Sequence, residues 1–347
     1  MREGGQFRNC PQYMKLQDFA YDLPEELIAQ HPLVKRDQAR LLIVDRSSQT
    51  IRHDYFCNIS QYLPNKSVLV VNNSKVIPAR LLGHREKSGG AVEIFLLKKL
   101  DDYSYETLMR PLKKVAVDEK LIFGQGVWAQ LKNKEQRIVR FNRKNILKYL
   151  AKIGHTPLPP YIKRADNERD RKDYQTVYAR HAGSVASPTA GLHFTKALLT
   201  KLKHHGHTIA PLTLHVNYGT FKPVEAQDIT EHKMHAEEFL IPALTLATVK
   251  GARQKGRRVV AVGTTSCRVL ETVAPVGQLK GSTDIYIYPG FNFKFTDILV
   301  TNFHLPFSSL LILVYAFGGM DLIKRAYAEA IREKYRFYSY GDAMVIL

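Results

Sequence analysis

Histidines, hydroxyls and glycines crowd a few short stretches of this chain, each with the make-up of a place where protons move or an anion docks. The densest is GSVASPTAGLHFT (residues 183–195), where Pro, Gly, Ser and Thr form a loop directly ahead of a helix signal. Loops of this kind turn backbone N–H groups and hydroxyls toward an anion or a polar ligand at a helix N-terminus. His193 stands at the mouth of that loop, where an imidazole serves as acid, base or hydrogen-bond donor. The same residues equally suit a plain turn, with Ser187 and Thr189 capping the chain and His193 satisfying a carbonyl.

TLHVNYGTF (residues 213–221) puts His215 on a strand that ends at Tyr218, Gly219 and Thr220. Ligands of open α/β sheets sit beyond the carboxyl ends of strands, although a lone strand histidine is also commonly just packed. EHKMHAEE (residues 231–238) brings His232, His235, Glu237 and Glu238 close together. An HxxH pair without a fixed third ligand is a weak metal signal, so no metal centre is expected. The alternation of Met234, Ala236 and Phe239 with polar neighbours reads instead as a strand showing one face to a cleft.

VVAVGTTSCRVLE (residues 259–271) is a strand, a small-residue turn and a helix. It sets Gly263, Thr264, Thr265 and Ser266 at a helix N-terminus, with Arg268 nearby for a carboxylate or phosphate. The segment matches neither GxGxxG nor a Walker loop, so it names no nucleotide class. TDILVTNFHLPFSS (residues 296–309) places Asp297, Asn302 and His304 around a turn ahead of an apolar helix. YRFYSYGDAM (residues 335–344) interleaves aromatics with Arg336 and Asp342, a pattern that stacks bases or packs beneath a terminal strand.

These stretches need a scaffold, and the flanking patterns describe one. PEELIAQ reads as a short helix, LLIVD and IRHDYF as a hairpin, and SVLVVNN as a strand buried on both faces. Between residues 76 and 148 the pattern changes to β-rich runs at sandwich or barrel spacing: VIPARLLG, AVEIFLL, YETLMR, KLIF, VWAQL and RIVRF. Beyond it, alternation resumes. ILKYLAKIG, DYQTVYAR, TKALLTKLKHHG, TLATVKGARQKG, SCRVLETV, LLILVYAF and LIKRAYAEAIREK read as helices, and TIAPLTLHV, RRVVAVG, DIYIY and AMVIL as strands. The expected architecture is therefore a layered α/β domain with a mixed sheet (residues 14–75 and 149–347), interrupted by an inserted small closed β-barrel (residues 76–148). Residues 1–13, polar and followed by Met14, read as an N-terminal extension or upstream start.

The 347 residues suffice for two cores, and the net charge of +19 asks for an anionic partner, nucleic acid before membrane. The barrel segment holds 16 Lys and Arg against 8 Asp and Glu, and KGARQKGRR (residues 250–258) holds five cations and no acid. Both are RNA-facing surfaces or simply solvated faces. The longest apolar run is far short of the roughly 20 residues a bilayer crossing needs. The N-terminus has no apolar signal core, and three scattered cysteines fit a reducing compartment, so a cytoplasmic location is expected.

Taken in order, DFAYDLPEELIAQHP, ARLLIVDR, LVVNNSKVIPARLLG, GHTPLPPYI, YQTVYAR, SPTAGLHFT, AVGTTSCRVLE, IYPGFNFKFTDILVTNFHLPFSSLL and EKYRFYSYGDAM resemble the S-adenosylmethionine:tRNA ribosyltransferase-isomerases of queuosine biosynthesis. The resemblance runs from about Met14 to the C-terminus. It departs at Asn217, where the family usually has glycine.

The resemblance implies an α/β domain interrupted by a barrel. It also implies a reaction in which the ribosyl group of S-adenosylmethionine moves to the aminomethyl nitrogen of 7-aminomethyl-7-deazaguanine at the wobble position of a tRNA with a GUN anticodon. Epoxyqueuosine forms, and adenine and methionine leave. S-adenosylmethionine is then a consumed ribosyl donor, with no prosthetic group, no membrane partner and a monomeric enzyme expected. Such chemistry needs a base for an acidic C5′ hydrogen, a proton for departing adenine and a neutral amine. On that footing His193 and His215 are expected to move protons, and Asp297 to act as acid or sulfonium counter-charge. Thr189, Gly191, Thr264, Thr265, Asn302 and His304 are expected to shape the donor pocket. The competing readings are an S-adenosylmethionine-dependent RNA methyltransferase and a non-catalytic RNA-binding protein.

Overall fold

Continuous Val and Leu runs make the centre of the molecule. The computed structural model describes residues 14–217, 219 and 223–347; the extension expected over residues 1–13, and Tyr218 and Thr220, lie outside the described residues. The Val68–Asn72 strand is buried along its whole length. Its side chains alternate between two cores, Val68 and Val70 in one, Leu69 and Val71 in the other. The Val259–Val262 and Ile298–Asn302 strands divide in the same way. A sheet that buries both faces must be covered on both. Helices Ala243–Gln254, Thr264–Val273, Ser309–Gly318 and Met320–Arg332 cover one face, and Lys196–His204 covers the other.

The sheet has nine strands, in the order Lys280–Thr283, Glu237–Leu240, Thr208–Leu214, Val68–Asn72, Val259–Val262, Ile298–Asn302, Ala343–Ile346, Arg40–Asp45 and Thr50–Tyr55. The four from Thr208–Leu214 to Ile298–Asn302 are mutually parallel, whereas Ala343–Ile346 runs against them. Leu214, Asn72, Val262 and Asn302 therefore finish at one end of the molecule. Asn72 stitches that end, its amide donating to Leu214 O at 3.0 Å and its Oδ1 accepting from Leu214 N at 3.1 Å.

All six expected barrel runs are present. Strands Arg80–Arg85, Ala91–Lys99, Ser104–Arg110, Ile138–Phe141, Val127–Asn133 and Lys120–Gly124 follow one another antiparallel around the barrel. Pairing of His84 with Ile122 and Arg85 with Leu121 closes it. Alternate residues such as Leu81, Ile94, Leu121, Ala129 and Val139 fill the interior. The barrel is inserted in the sequence between Ser74–Val76 and His181–Ser184, two short strands that pair in parallel.

Four local expectations give way to tertiary packing. PEELIAQ makes only a three-residue 3-10 turn, Glu25–Leu27. DYQTVYAR is not a helix, because the α-helix Asp170–Asp173 stops as Tyr174 is buried and the Gln175 amide pairs with the main chain of Val76 at 2.8 and 3.0 Å. DIYIY is not a strand either. The edge strand is Lys280–Thr283, while Ile287 and Tyr288 turn into the core. The EHKMHAEE strand likewise begins only at Glu237.

Candidate active site

The parallel strands open at their carboxyl ends onto a cavity of about 260 Å³. Three distant segments supply most of its wall: the loop at residues 186–190, the turn at 263–265 and the turn at 301–306. Val216, Tyr161, Tyr338 and Ser339 complete much of the remainder. Among the described residues lining it there is no Asp, Glu, Lys or Arg. A ligand there is held by hydroxyls, amides, a histidine and aromatic faces.

The turn at Gly263 shows why small residues are needed. Gly263 has φ +88° at the N-cap of Thr264–Val273, a conformation that L side chains rarely adopt. The first intrahelical bond at this end runs from Cys267 N to Gly263 O at 3.2 Å. The N–H groups of Thr264, Thr265 and Ser266 thus have no partner within the helix, and Thr264 and Thr265 line the cavity. Their N–H groups and the positive end of the helix dipole suit an anionic group.

His304 is the histidine that lines the cavity. Its Nε2 is held by Thr301 Oγ1 at 2.7 Å, and Tyr21 OH donates to its carbonyl. Burial lowers its pKa to about 3, so the ring is neutral near pH 7. Asn302 precedes it by two residues and donates to Tyr338 O at 2.9 Å, and its buried Oδ1 interacts with the His193 side chain. Ser187 Oγ, by contrast, is buried without a hydrogen-bond partner. Buried polar atoms are normally satisfied, so an orphan in the cavity wall marks where a polar ligand or water completes the set.

Thr189, Thr264, Thr265, Asn302 and His304 are thus brought together, and the other sequence-chosen residues are not. His193 lies behind the wall, its ring 5.1 Å from that of Phe56. Burial lowers its pKa to about 4, against a partial compensation from the neighbouring Asn302. Gly191 serves packing, because a Cβ there would collide with the Tyr178 hydroxyl. His215 follows the Thr208–Leu214 strand. Its neighbour Val216 lines the cavity, while the His215 ring lies against Gly183, 2.9 Å from where a Cβ would stand.

Asp297 is at the opposite end of its strand from the cavity. Thr301, the first residue of that strand to line it, stands four residues on, about 13 Å at ~3.3 Å each. There its carboxylate accepts from Val259 N at 2.8 Å and faces Arg253 and Arg258. The basic run at residues 250–258 shares that far end and so does not border the cavity. Arg268 is buried and committed to Glu237 and to the Thr283 and Ile285 carbonyls, which leaves it unavailable to an anion.

Tyr161, Tyr338, Thr301 and Ser339 were not among the residues chosen from sequence as lining the donor pocket. Tyr161 carried a usable signal, since it follows Pro159 and Pro160 in an exposed-looking PPY turn. A second cavity of about 340 Å³ adjoins the first through Pro223 and is lined by Glu225, Glu231, His232, His235 and Glu237. Among the described residues no group of three or more His, Cys, Asp or Glu could hold a metal ion. No described helix is long and apolar enough to cross a membrane.

Residues 16–346 match the family model described as "Queuosine biosynthesis protein". S-adenosylmethionine:tRNA ribosyltransferase-isomerase of Sulfurihydrogenibium sp. is 51% identical over 336 residues, covering 96% of this chain and 100% of that protein. Its counterpart from Carboxydothermus hydrogenoformans is 50% identical over 341 residues, with 96% and 100% covered. The crystal structure of S-adenosylmethionine tRNA ribosyltransferase from Thermotoga maritima is similar with a TM-score of 0.56 at 36% identity, covering 95% of this chain and 100% of that one. With a family model spanning nearly its whole length and relatives half identical throughout, the chain belongs to the S-adenosylmethionine:tRNA ribosyltransferase-isomerases of queuosine biosynthesis.

Proposed function

We propose that this enzyme takes S-adenosylmethionine into the 260 Å³ cavity and transfers its ribosyl group to 7-aminomethyl-7-deazaguanine in the wobble position of a GUN-anticodon tRNA. The observation that carries the reading is the uncharged, hydroxyl- and amide-lined cavity at the carboxyl ends of the parallel strands, in a chain of this family. The N-terminus of Thr264–Val273 receives the donor's carboxylate, with Thr264 and Thr265 hydroxyls beside it. Ser187 Oγ, the orphaned polar atom of the wall, exchanges a hydrogen bond with adenine or the ribose.

The sulfonium makes the C5′ hydrogens acidic. His304, kept neutral by burial and oriented by Thr301, is a hydrogen-bond partner for the donor's adenine, and the same burial weakens it as the base for the C5′ proton. His193 takes a supporting place behind Asn302, and the reading gives no catalytic part to His215 or Asp297. The second cavity takes the acceptor base. Its carboxylates draw the aminomethyl group in, and His232, whose pKa is lowered by burial, keeps a neutral imidazole near the amine that must lose its proton to attack.

The tRNA backbone lies along a groove of about 510 Å³ between the barrel and the segment that carries Tyr161. Arg80, Arg110, Lys163 and Arg164 border it. The deciding experiment incubates the enzyme with labelled S-adenosylmethionine and tRNA bearing 7-aminomethyl-7-deazaguanine. Free adenine, methionine and a ribosyl increment on the RNA are expected. S-adenosylhomocysteine with a methyl increment would replace this reading with a methyltransferase, and tRNA binding without turnover would leave an RNA-binding protein.

A further inference from the structure

The donor cavity poses an electrostatic question. Among the described residues lining it a sulfonium cation meets no carboxylate, and Asp297 stands at the opposite end of the sheet. What the wall does offer is two tyrosine rings, Tyr161 and Tyr338, with centroids 4.6 Å apart and planes at 48°.

Both rings are held in place. Tyr338 has φ +70°, in the left-handed region that bulky residues avoid. Two main-chain hydrogen bonds pin it there: its N–H donates to Phe303 O at 3.1 Å, and its carbonyl accepts from Asn302 Nδ2 at 2.9 Å. Tyr161 is fixed at its hydroxyl, which shares a hydrogen bond with Ser339 Oγ at 2.6 Å. Strain of this kind persists where the surroundings over-determine it, and it concentrates at ligand clamps and active sites.

We propose that Tyr161 and Tyr338 form an aromatic wall that receives the donor's sulfonium centre and selects the charged donor over its neutral thioether. The proposal rests on the reading that this cavity binds S-adenosylmethionine. A sulfonium has no N–H or O–H to donate, so the hydroxyls and amides of the cavity recognise it poorly. The negative face of an aromatic ring attracts a cation lying within about 6 Å of its centroid, more strongly when water is excluded. The arrangement also suits the chemistry. A carboxylate against the sulfonium in a dry site would stabilise the ground-state cation and oppose loss of the C5′ proton. A π face attracts the cation more gently, so less of that interaction is lost as the neutral ylide forms.

The test is calorimetric binding of three ligands that share the adenosine: S-adenosylmethionine, its neutral thioether S-adenosylhomocysteine, and the ammonium analogue sinefungin. These are titrated into the wild-type protein and into Tyr338→Leu, Tyr161→Leu and the corresponding Phe variants, with folding checked by near-ultraviolet circular dichroism. The Leu variants should bind the two cationic ligands about tenfold more weakly while their affinity for the thioether changes less than twofold. The Phe variants, which keep the π face, should retain the preference for charge. Equal losses for all three ligands would overturn the proposal, because the rings would then serve only as an apolar or adenine-stacking wall. A wild-type protein that binds the thioether as tightly as the cations would also overturn it. Failure of the wild type to bind any of the three would instead remove the donor-site reading, and the proposal with it.

Discussion

The side-chain amide of Asn302 donates to the main-chain carbonyl of Tyr338 at 2.9 Å, tying the end of a central strand to the C-terminal loop. One residue thereby meets His193 through Oδ1 and holds a strained tyrosine in place. Asn302→Ala removes both functions. Turnover per enzyme should fall about a hundredfold, the scale of a misplaced reacting group, and stability by about 1–2 kcal/mol for the lost buried hydrogen bond. Steady-state kinetics and urea unfolding on the same preparation separate the two effects.

Gly263 should tolerate no side chain, for a conformational reason. A Cβ there would find space, with its nearest neighbours at 3.5 and 3.6 Å, but φ is +88°. Gly263→Ala should cost about 1–3 kcal/mol in unfolding free energy and raise KM for the donor by disturbing the helix N-terminus. An unchanged KM would count against anion recognition at that end.

Stability should depend on pH through His193. Its pKa is about 4 in the folded protein, below the ordinary value of 6.5, so the unfolded chain binds the proton more readily between those values. Folding stability is then full above pH 6.5 and declines as pH falls toward 4. The loss attributable to this group is about 3 kcal/mol at ~1.4 kcal/mol per pKa unit. His193→Gln should flatten that part of the profile, measured as urea midpoints between pH 4.5 and 7.5. An equally steep profile in the variant would assign the decline to other groups.

Asp297 should matter to folding and not to chemistry. Asp297→Ala leaves Val259 N without its 2.8 Å acceptor and Arg253 and Arg258 without their ion-pair partner. Unfolding free energy should fall by about 1–2 kcal/mol, with kcat within twofold of wild type. A kcat loss of an order of magnitude would return Asp297 to the reaction.

The two basic regions should separate in their effect on tRNA. Arg110 and Lys163 border the groove beside the Tyr161 segment, while residues 250–258 lie at the far end of the sheet. Arg110→Glu with Lys163→Glu should weaken tRNA binding and reduce the log–log salt slope by about one per lost phosphate contact. Lys255→Glu should leave both unchanged. The reverse result would move the RNA to the opposite face.

Much of the fold was legible in the sequence because its signals are local. Unbroken Val and Leu runs mark strands buried on both faces, Gly and Thr after VVAV mark a helix start, and short β-runs at even spacing mark the barrel. The lapses fell where tertiary contacts outweigh local pattern, as where Tyr174 and Gln175 are drawn from a helix into packing against the core and Val76.

The sequence by itself determined which segments make the pocket, since ASPTA, VGTTS and VTNFH each join a strand or helix end to a small-residue turn. Which side chains reach the pocket was decided by tertiary structure. Asp297 and His304 are seven residues apart, yet they flank opposite ends of one strand, and only its parallel pairing with Val259–Val262 sets which end carries the site. His193 and Thr189 share one turn, but a few residues of 3-10 helix rotate one ring behind the wall while the other side chain faces the cavity. Tyr161 and Tyr338 are far apart in the chain and meet at 4.6 Å because the loops that carry them close over the same sheet end. Local chemistry is written in residue types, whereas convergence depends on strand direction and long-range pairing.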